Sequence, residues 1–166
     1  ENTLVAFDHA QSIGADAIEC DVHLSRDGEA VVIHDPTLER TTDARGPVSA
    51  LSAADLARVD AGFRFGPAQG HPHRGSGAYV PRLAELLERM PAMPLIVEIK
   101  GDRPEVADTV VGVIAEARAL DRVIIGGFSQ AGLERARRLH KDAVTSASKA
   151  EARWALYRSY VRMPPT

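Results

Sequence analysis

Two carboxylates stand two residues apart in Ala17-Ile18-Glu19-Cys20-Asp21-Val22. On a strand, side chains alternate, so Glu19 and Asp21 would share one face while Ile18, Cys20 and Val22 take the other. Two acids turned inward repel each other unless a proton or a cation intervenes, because unpaired buried charge is costly. A hard divalent ion suits such oxygen donors, which points to Mg²⁺ or Ca²⁺. Taken alone, the pair has a plainer alternative, a half-exposed strand with both acids solvated.

Two further runs carry groups of the same kind. Val31-Val32-Ile33-His34-Asp35-Pro36 is apolar until it ends in a histidine and an acid before a turn. Near neutral pH an imidazole can accept or donate a proton, as general acid–base catalysis requires, and the C-terminal ends of parallel strands are where α/β active sites gather. A structural hydrogen-bonding histidine is the other reading of His34 in isolation. Leu95-Ile96-Val97-Glu98-Ile99-Lys100-Gly101 places Glu98 and Lys100 on one face. Glu98 could complete a carboxylate cluster, and Lys100 could offer its point charge to a phosphate oxygen. An ordinary Glu–Lys pair at a sheet edge is the alternative. All three groups fall near strand ends, so they could meet in one site.

The elements that must position these groups follow from periodicity. Residues 17–24, 30–35, 94–100 and 122–128 read as strands, with a weaker one at 143–147, and Arg26-Asp27-Gly28 as the turn between the first two. Residues 54–59, 82–90, 105–120, 131–140 and 151–161 have helical spacing. Pro81 and Pro104 are placed in first helical turns, which accept proline. From residue 94 strands and helices alternate, which predicts a parallel sheet in an open doubly wound fold or a barrel. Residues 61–79, rich in Gly, Pro and His, are long for a connection and read as an insertion. His73-Arg74-Gly75 lies within it, with no strand leading in, and reads as a loop feature. Ser129 lacks a G-x-S-x-G context and reads as a helix N-cap.

Composition narrows the classes. The chain has 166 residues, 45% hydrophobic and 26% charged, with a formal charge of −3, the profile of a globular domain. Its basic residues form no stripe, so nucleic acid is not an expected partner. Cys20 is the single cysteine, which rules out an intrachain disulfide and a Cys-rich zinc site, and fits a cytoplasmic, reducing setting better than a secreted one. No apolar run approaches the roughly 20 residues that span a bilayer.

The motifs, taken in order, resemble the glycerophosphodiester phosphodiesterase family. The resemblance runs from Glu1-Asn2-Thr3 through Gly14-Ala15-Asp16-Ala17-Ile18-Glu19-Cys20-Asp21-Val22, Asp27-Gly28, His34-Asp35, Leu38-Glu39-Arg40-Thr41-Thr42 and Gly46. It continues through Arg74-Gly75-Ser76-Gly77, Pro81-Arg82-Leu83-Ala84-Glu85, Glu98-Ile99-Lys100 and Phe128-Ser129. The resemblance implies an α/β (β/α)₈ TIM barrel with a small insertion, here residues 61–79. It also implies Glu19, Asp21 and Glu98 as metal ligands, His34 as one of two catalytic histidines, and Lys100 and Glu1 as substrate-binding residues.

By the same resemblance, the activity is metal-dependent hydrolysis of small glycerophosphodiesters to an alcohol and sn-glycerol 3-phosphate. The attacker can be the neighbouring glycerol hydroxyl, through a cyclic phosphate that water opens. A lysophospholipase D-like activity, or a non-catalytic barrel that binds phosphorylated ligands, are the alternatives. The family's second histidine and an arginine belong to a His-Arg-Gly motif on the first barrel strand. That motif, like the last strands, has no counterpart here, so residues 1–166 are expected to be a partial barrel truncated at both ends, nearly inactive alone. Packing should then be poor on one side of Ile18, Val32, Ile96, Ile124 or their neighbours, favouring aggregation.

Overall fold

The computed structural model describes residues 1–101 and 103–161. Five strands, β1 (Ile18–Leu24), β2 (Ala30–Val32), β3 (Leu95–Ile99), β4 (Val123–Gly127) and β5 (Val144–Thr145), form one sheet in the order β2-β1-β3-β4-β5. The helices are α1 (Leu4–Ser12), α2 (Ala53–Leu56), α3 (Leu83–Arg89), α4 (Glu105–Glu116), α5 (Gln130–Leu139) and α6 (Lys149–Tyr160). No helix among the described residues is long and apolar enough to cross a membrane.

Strand alternation sorts the sheet into two faces. Ile18, Cys20, Val22, Leu95, Val97, Ile99, Val123 and Ile125 point to one side, where they are buried with Leu86 of α3, Val110 and Ile114 of α4 and Leu133 of α5. The other face carries Glu19, Asp21, Ile96, Glu98 and Ile124. Ile96 and Ile124 remain 39% and 41% exposed there. Ile18 and Val32, by contrast, are buried, so the loose packing expected of them falls only on the residues of the opposite pleat. Helices packed on a single face argue against the doubly wound alternative, in which both faces are covered.

Direction along the sheet departs from expectation at one place. β1 pairs in parallel with β3, and β3 with β4, but β1 and β2 are antiparallel, with Val22 opposite Val32 and Leu24 opposite Ala30. The tight turn at Ser25–Gly28 explains this, since parallel neighbours need a long crossover. Gly28 takes φ +81 there, a backbone conformation that costs glycine little. Val31, Ile33, Leu38, Val48, Ala53, Leu56 and Val80 form a second apolar cluster beneath the chain that follows β2.

Helix ends also shift slightly. The prolines precede the first turns rather than sitting in them: Arg82 caps α3, with Pro81 just outside, and Pro104 is itself the residue before α4. α4 stops at Glu116, short of the predicted 120, and Arg118 beyond it has φ +53. Ser129 caps α5, its Oγ accepting from the Gly132 amide at 3.4 Å.

α6 buries no side chain, and its first turn ties it to α5. Ser148 and Glu151 form a reciprocal cap, and Arg137 grips the Glu151 carboxylate from Nη1 at 2.7 Å and Nη2 at 3.2 Å. The Arg137 hydrogen bond and then the Ser148 amide hold the Glu151 carboxyl well below its ordinary 4.5, at about 2. A depressed folded pKa contributes stability that is whole above the unfolded value and lost as pH falls through the folded one. Trp154, the single tryptophan, lies in α6. Its emission is therefore expected to hold steady from pH 7 to about 4.5 and to change as pH falls toward 2. Glu151→Gln should remove that dependence, and a transition complete above pH 4.5 would contradict the assignment.

Candidate active site

The polar face of β1 and β3 gathers the predicted groups. Parallel register sets Asp21 beside Glu98, with Glu19 beside Ile96. One carboxylate oxygen from each of Glu19, Asp21 and Glu98 lies within 4.8 Å of the others. β1 ends at Leu24, where the strand read over 17–24 ends, so Glu19 and Asp21 stand five and three residues before its terminus rather than at its last residues. Glu98 is the penultimate residue of β3, and Lys100 follows the strand.

Lys100 is wedged among the acids. Its Nζ lies 2.7 Å from Asp21 Oδ1 and 2.6 Å from Glu98 Oε1. Burial opposes the ammonium charge, but these two hydrogen bonds outweigh it and hold the Lys100 pKa above the ordinary lysine value. Glu19 is pushed up, first by partial burial and then by the charges of Asp21 and Glu98, with Lys100 opposing. Three carboxylates thus face one ammonium and leave an uncompensated negative charge. An all-oxygen donor set with that surplus fits a hard divalent ion such as Mg²⁺ or Ca²⁺.

Asn2 was not among the predicted site residues, yet it anchors the cluster. Its Nδ2 donates to Asp21 Oδ2 at 2.7 Å while its Oδ1 accepts from the Asp21 amide at 3.2 Å. The Asn2 backbone has φ +52, a region asparagine enters more readily than most residues. Thr3, next in sequence, caps α1 through the Ala6 amide at 3.2 Å, so the turn that starts the helix also aims the amide at Asp21.

His34 arrives on the return limb of the hairpin rather than at the end of a parallel strand. The Ile33 amide donates to the Asp21 carbonyl at 2.9 Å, which carries His34 back alongside the carboxylates. The His23 ring is fixed against the His34 carbonyl at 3.1 Å through Nε2. Since a carbonyl only accepts, that nitrogen carries the proton. Burial pushes the His23 pKa down, favouring its neutral ring.

His34 Nδ1 lies 2.6 Å from Asp35 Oδ1, and Arg40 clamps the same carboxylate from Nε at 2.5 Å and Nη2 at 3.0 Å. Arg40 also pairs with Glu1. The Arg40 and His34 hydrogen bonds hold the Asp35 carboxyl at about 2, so it is ionised at neutral pH. Glu1 is likewise lowered, chiefly by Arg40. An ionised Asp35 can only accept, so Nδ1 of His34 carries a proton and Nε2 of the neutral ring keeps its lone pair.

Glu1, Asn2, Glu19, Asp21 and His34 line one cavity of about 450 Å³. The structure therefore brings Glu1 and His34 to the same opening as two of the carboxylates, with Glu98 and Lys100 bonded into the cluster from β3. The His73-Arg74-Gly75 triplet lies in the insertion, outside any strand. Asp35 stood beside His34 in the sequence pattern, whereas Arg40, Asn2 and His23 are residues that strand periodicity did not assign to the site. Leu38-Glu39-Arg40-Thr41-Thr42 and Glu1-Asn2-Thr3 held the signal for two of them.

The Glycerophosphoryl diester phosphodiesterase family model matches residues 1–155. A glycerophosphodiester phosphodiesterase of Caldanaerobacter subterraneus subsp. tengcongensis is 36% identical over 138 residues, 80% of this chain and 54% of the relative. The solved glycerophosphodiester phosphodiesterase of Agrobacterium tumefaciens is similar at TM-score 0.75 and 32% identity, covering 87% of this chain and 59% of that one. An Oleispira antarctica phosphodiesterase, solved with its product sn-glycerol-3-phosphate, is similar at TM-score 0.79 and 27% identity over 98% of this chain and 67% of its own. The chain spans about half the length of the curated relatives it matches. With the motifs in order and the acidic cluster assembled, the chain belongs to the glycerophosphoryl diester phosphodiesterase family.

Proposed function

We propose that residues 1–166 form the greater part of the catalytic face of a (β/α)₈ phosphodiesterase that hydrolyses glycerophosphodiesters to an alcohol and sn-glycerol 3-phosphate. The observation that carries this reading is the cluster of Glu19, Asp21 and Glu98 about Lys100, two of whose carboxylates, Glu19 and Asp21, share a cavity with His34. Glu19, Asp21 and Glu98 would hold a divalent ion, which when bound polarises a phosphate and stabilises charge on its oxygens. Lys100, with its charge held firmly, is placed to meet a phosphate oxygen once an ion takes over the carboxylates.

His34 Nε2 is the proton-handling atom. As base it removes the proton from the attacking hydroxyl, either the adjacent glycerol hydroxyl or water. Asp35 fixes the tautomer and steadies the imidazolium that results. Arg40 holds Asp35, and Glu1 sets Arg40, so the pairings run in series from the opening to the imidazole. The departing alkoxide needs a proton from a second acid. The family resemblance implies a second catalytic histidine, in a His-Arg-Gly motif, and with His34 as base that histidine would be the acid.

The test is hydrolysis of glycerophosphocholine and glycerophosphoethanolamine by a longer chain that includes the upstream strand and the closing strands. Release of sn-glycerol 3-phosphate, stopped by a chelator and restored by Mg²⁺ or Ca²⁺, is the expected result. No release from either diester with either ion would sink the proposal.

A further inference from the structure

His23 stands on β1 two residues beyond Asp21, so alternation turns it to the same face as Glu19 and Asp21. It is half-buried. Its ladder partner is Val31, yet its ring reaches three residues further along, to the carbonyl of His34, at 3.1 Å from Nε2. The ladder has ended by then: β2 stops at Val32, and the Ile33 amide makes the last main-chain bond to β1. Among the described residues the His34 main chain makes no other hydrogen bond. The next backbone bond along the chain is at Pro36, whose carbonyl accepts from the Val48 amide at 3.0 Å.

The other restraints on His34 act on its ring. Asp35 holds Nδ1 at 2.6 Å, but Asp35 is the next residue and shifts with the same stretch of main chain. Arg40, itself paired with Glu1, tethers that carboxylate, and neither residue belongs to the strand that carries Glu19 and Asp21. The His23 bond differs in kind. Beyond the Ile33 amide, it alone ties the main chain at His34 to that strand. His23 lines a separate cavity of about 200 Å³ with Val48, Ser49 and Lys100, whereas His34 lines the catalytic one. With Nε2 occupied by the carbonyl, the His23 ring is poorly placed to hand a proton to a substrate, so its influence on the reaction runs through His34.

We propose that His23 is a positioning residue: its ring N–H, donated to the His34 carbonyl, sets the distance of the proton-handling imidazole from the carboxylates of Glu19, Asp21 and Glu98. The inference rests on the phosphodiesterase reading above and adds a residue to it. Reacting atoms must come within about 3–3.5 Å of each other, and a misplacement of about 1 Å can cost about 10² in rate. A His34 carbonyl left without its donor can turn to water, and the imidazole moves with it.

The test is made in the complete enzyme with glycerophosphocholine. His23→Leu and His23→Ala, which lack a donor at two sizes, should lower kcat by about ten- to a hundredfold while KM stays within about twofold. His23→Gln, whose side-chain amide offers an N–H close to the place of Nε2, should recover most of the loss. The Leu and Gln variants should melt together, so that a difference in kcat between them reports the bond and not the fold. In a His34→Ala background, His23→Leu should change kcat by no more than about twofold, because the group it misplaces is gone. An acid acting in its own right would still be missed there, and glutamine would not replace it. Full kcat in His23→Leu or His23→Ala, an equal loss in His23→Leu and His23→Gln, or a loss undiminished in the His34→Ala background overturns the inference. Failure of the unaltered enzyme to hydrolyse the diester would instead strike at the phosphodiesterase reading.

Discussion

In the complete enzyme, His34→Ala is expected to lower kcat by about 10²–10⁴ while KM moves little, because a positioned acid–base group acts in the transition state. The geometry makes the expectation specific to one nitrogen. Asp35, ionised at neutral pH and clamped by Arg40, accepts a hydrogen bond from Nδ1 at 2.6 Å, so Nε2 is the nitrogen left for proton transfer. Asp35→Asn should therefore lower kcat too, by releasing the tautomer, without loss of the imidazole. Steady-state rates with glycerophosphocholine decide the matter. An unchanged kcat in His34→Ala would remove the residue from the mechanism.

Lys100→Met should produce the largest change in the stability of the ion-free protein. The ammonium is bonded to both Asp21 and Glu98, and the three side chains are 18%, 6% and 21% exposed. Removing it leaves two adjacent carboxylates and Glu19 unbalanced. Breaking a fully buried pair costs roughly 3–5 kcal/mol. The opening toward the cavity reduces this to about 2 kcal/mol, or roughly 4–8 °C in melting temperature. Mg²⁺ or Ca²⁺ should then raise the melting temperature of the variant by more than that of the unaltered protein, because the ion supplies the missing charge. Equal shifts in the two proteins, or none, would mean that the carboxylates do not share a cation.

Much of the site was legible because it depends on a short period. Glu19 with Asp21 and Glu98 with Lys100 share faces by alternation alone, and the apolar flanks of both runs mark strands. Their meeting was inferred from family resemblance and from strand order. The pairing of Asp21 with Glu98 is a register, which depends on how α3 and α4 pack beneath the sheet. The direction of β2 was within reach, since Arg26-Asp27-Gly28 is too short for a parallel crossover, but the alternation of later elements drew the reading toward a parallel sheet. Which pleat would stay uncovered was read only in part. Ile96 and Ile124 are exposed as expected, whereas Ile18 and Val32 lie on the helix side. Asn2 and Arg40 needed three-dimensional information. One depends on a left-handed backbone before a helix cap, and the other reaches Glu1 across 39 positions of sequence.

The return of β2 along β1 bears on the order in which the site assembles. Val22 and Val32 are ten positions apart, and the Asp21–Ile33 bond spans twelve, whereas Asp21 and Glu98 meet across 77. Contacts close in sequence cost little chain entropy to form and are made early, while distant pairings wait on loop closure. His34 and the first two carboxylates therefore belong to one local folding unit, a hairpin able to take shape before the third carboxylate arrives. Completion of the acidic cluster by Glu98, not the placing of His34, would be the late event in folding.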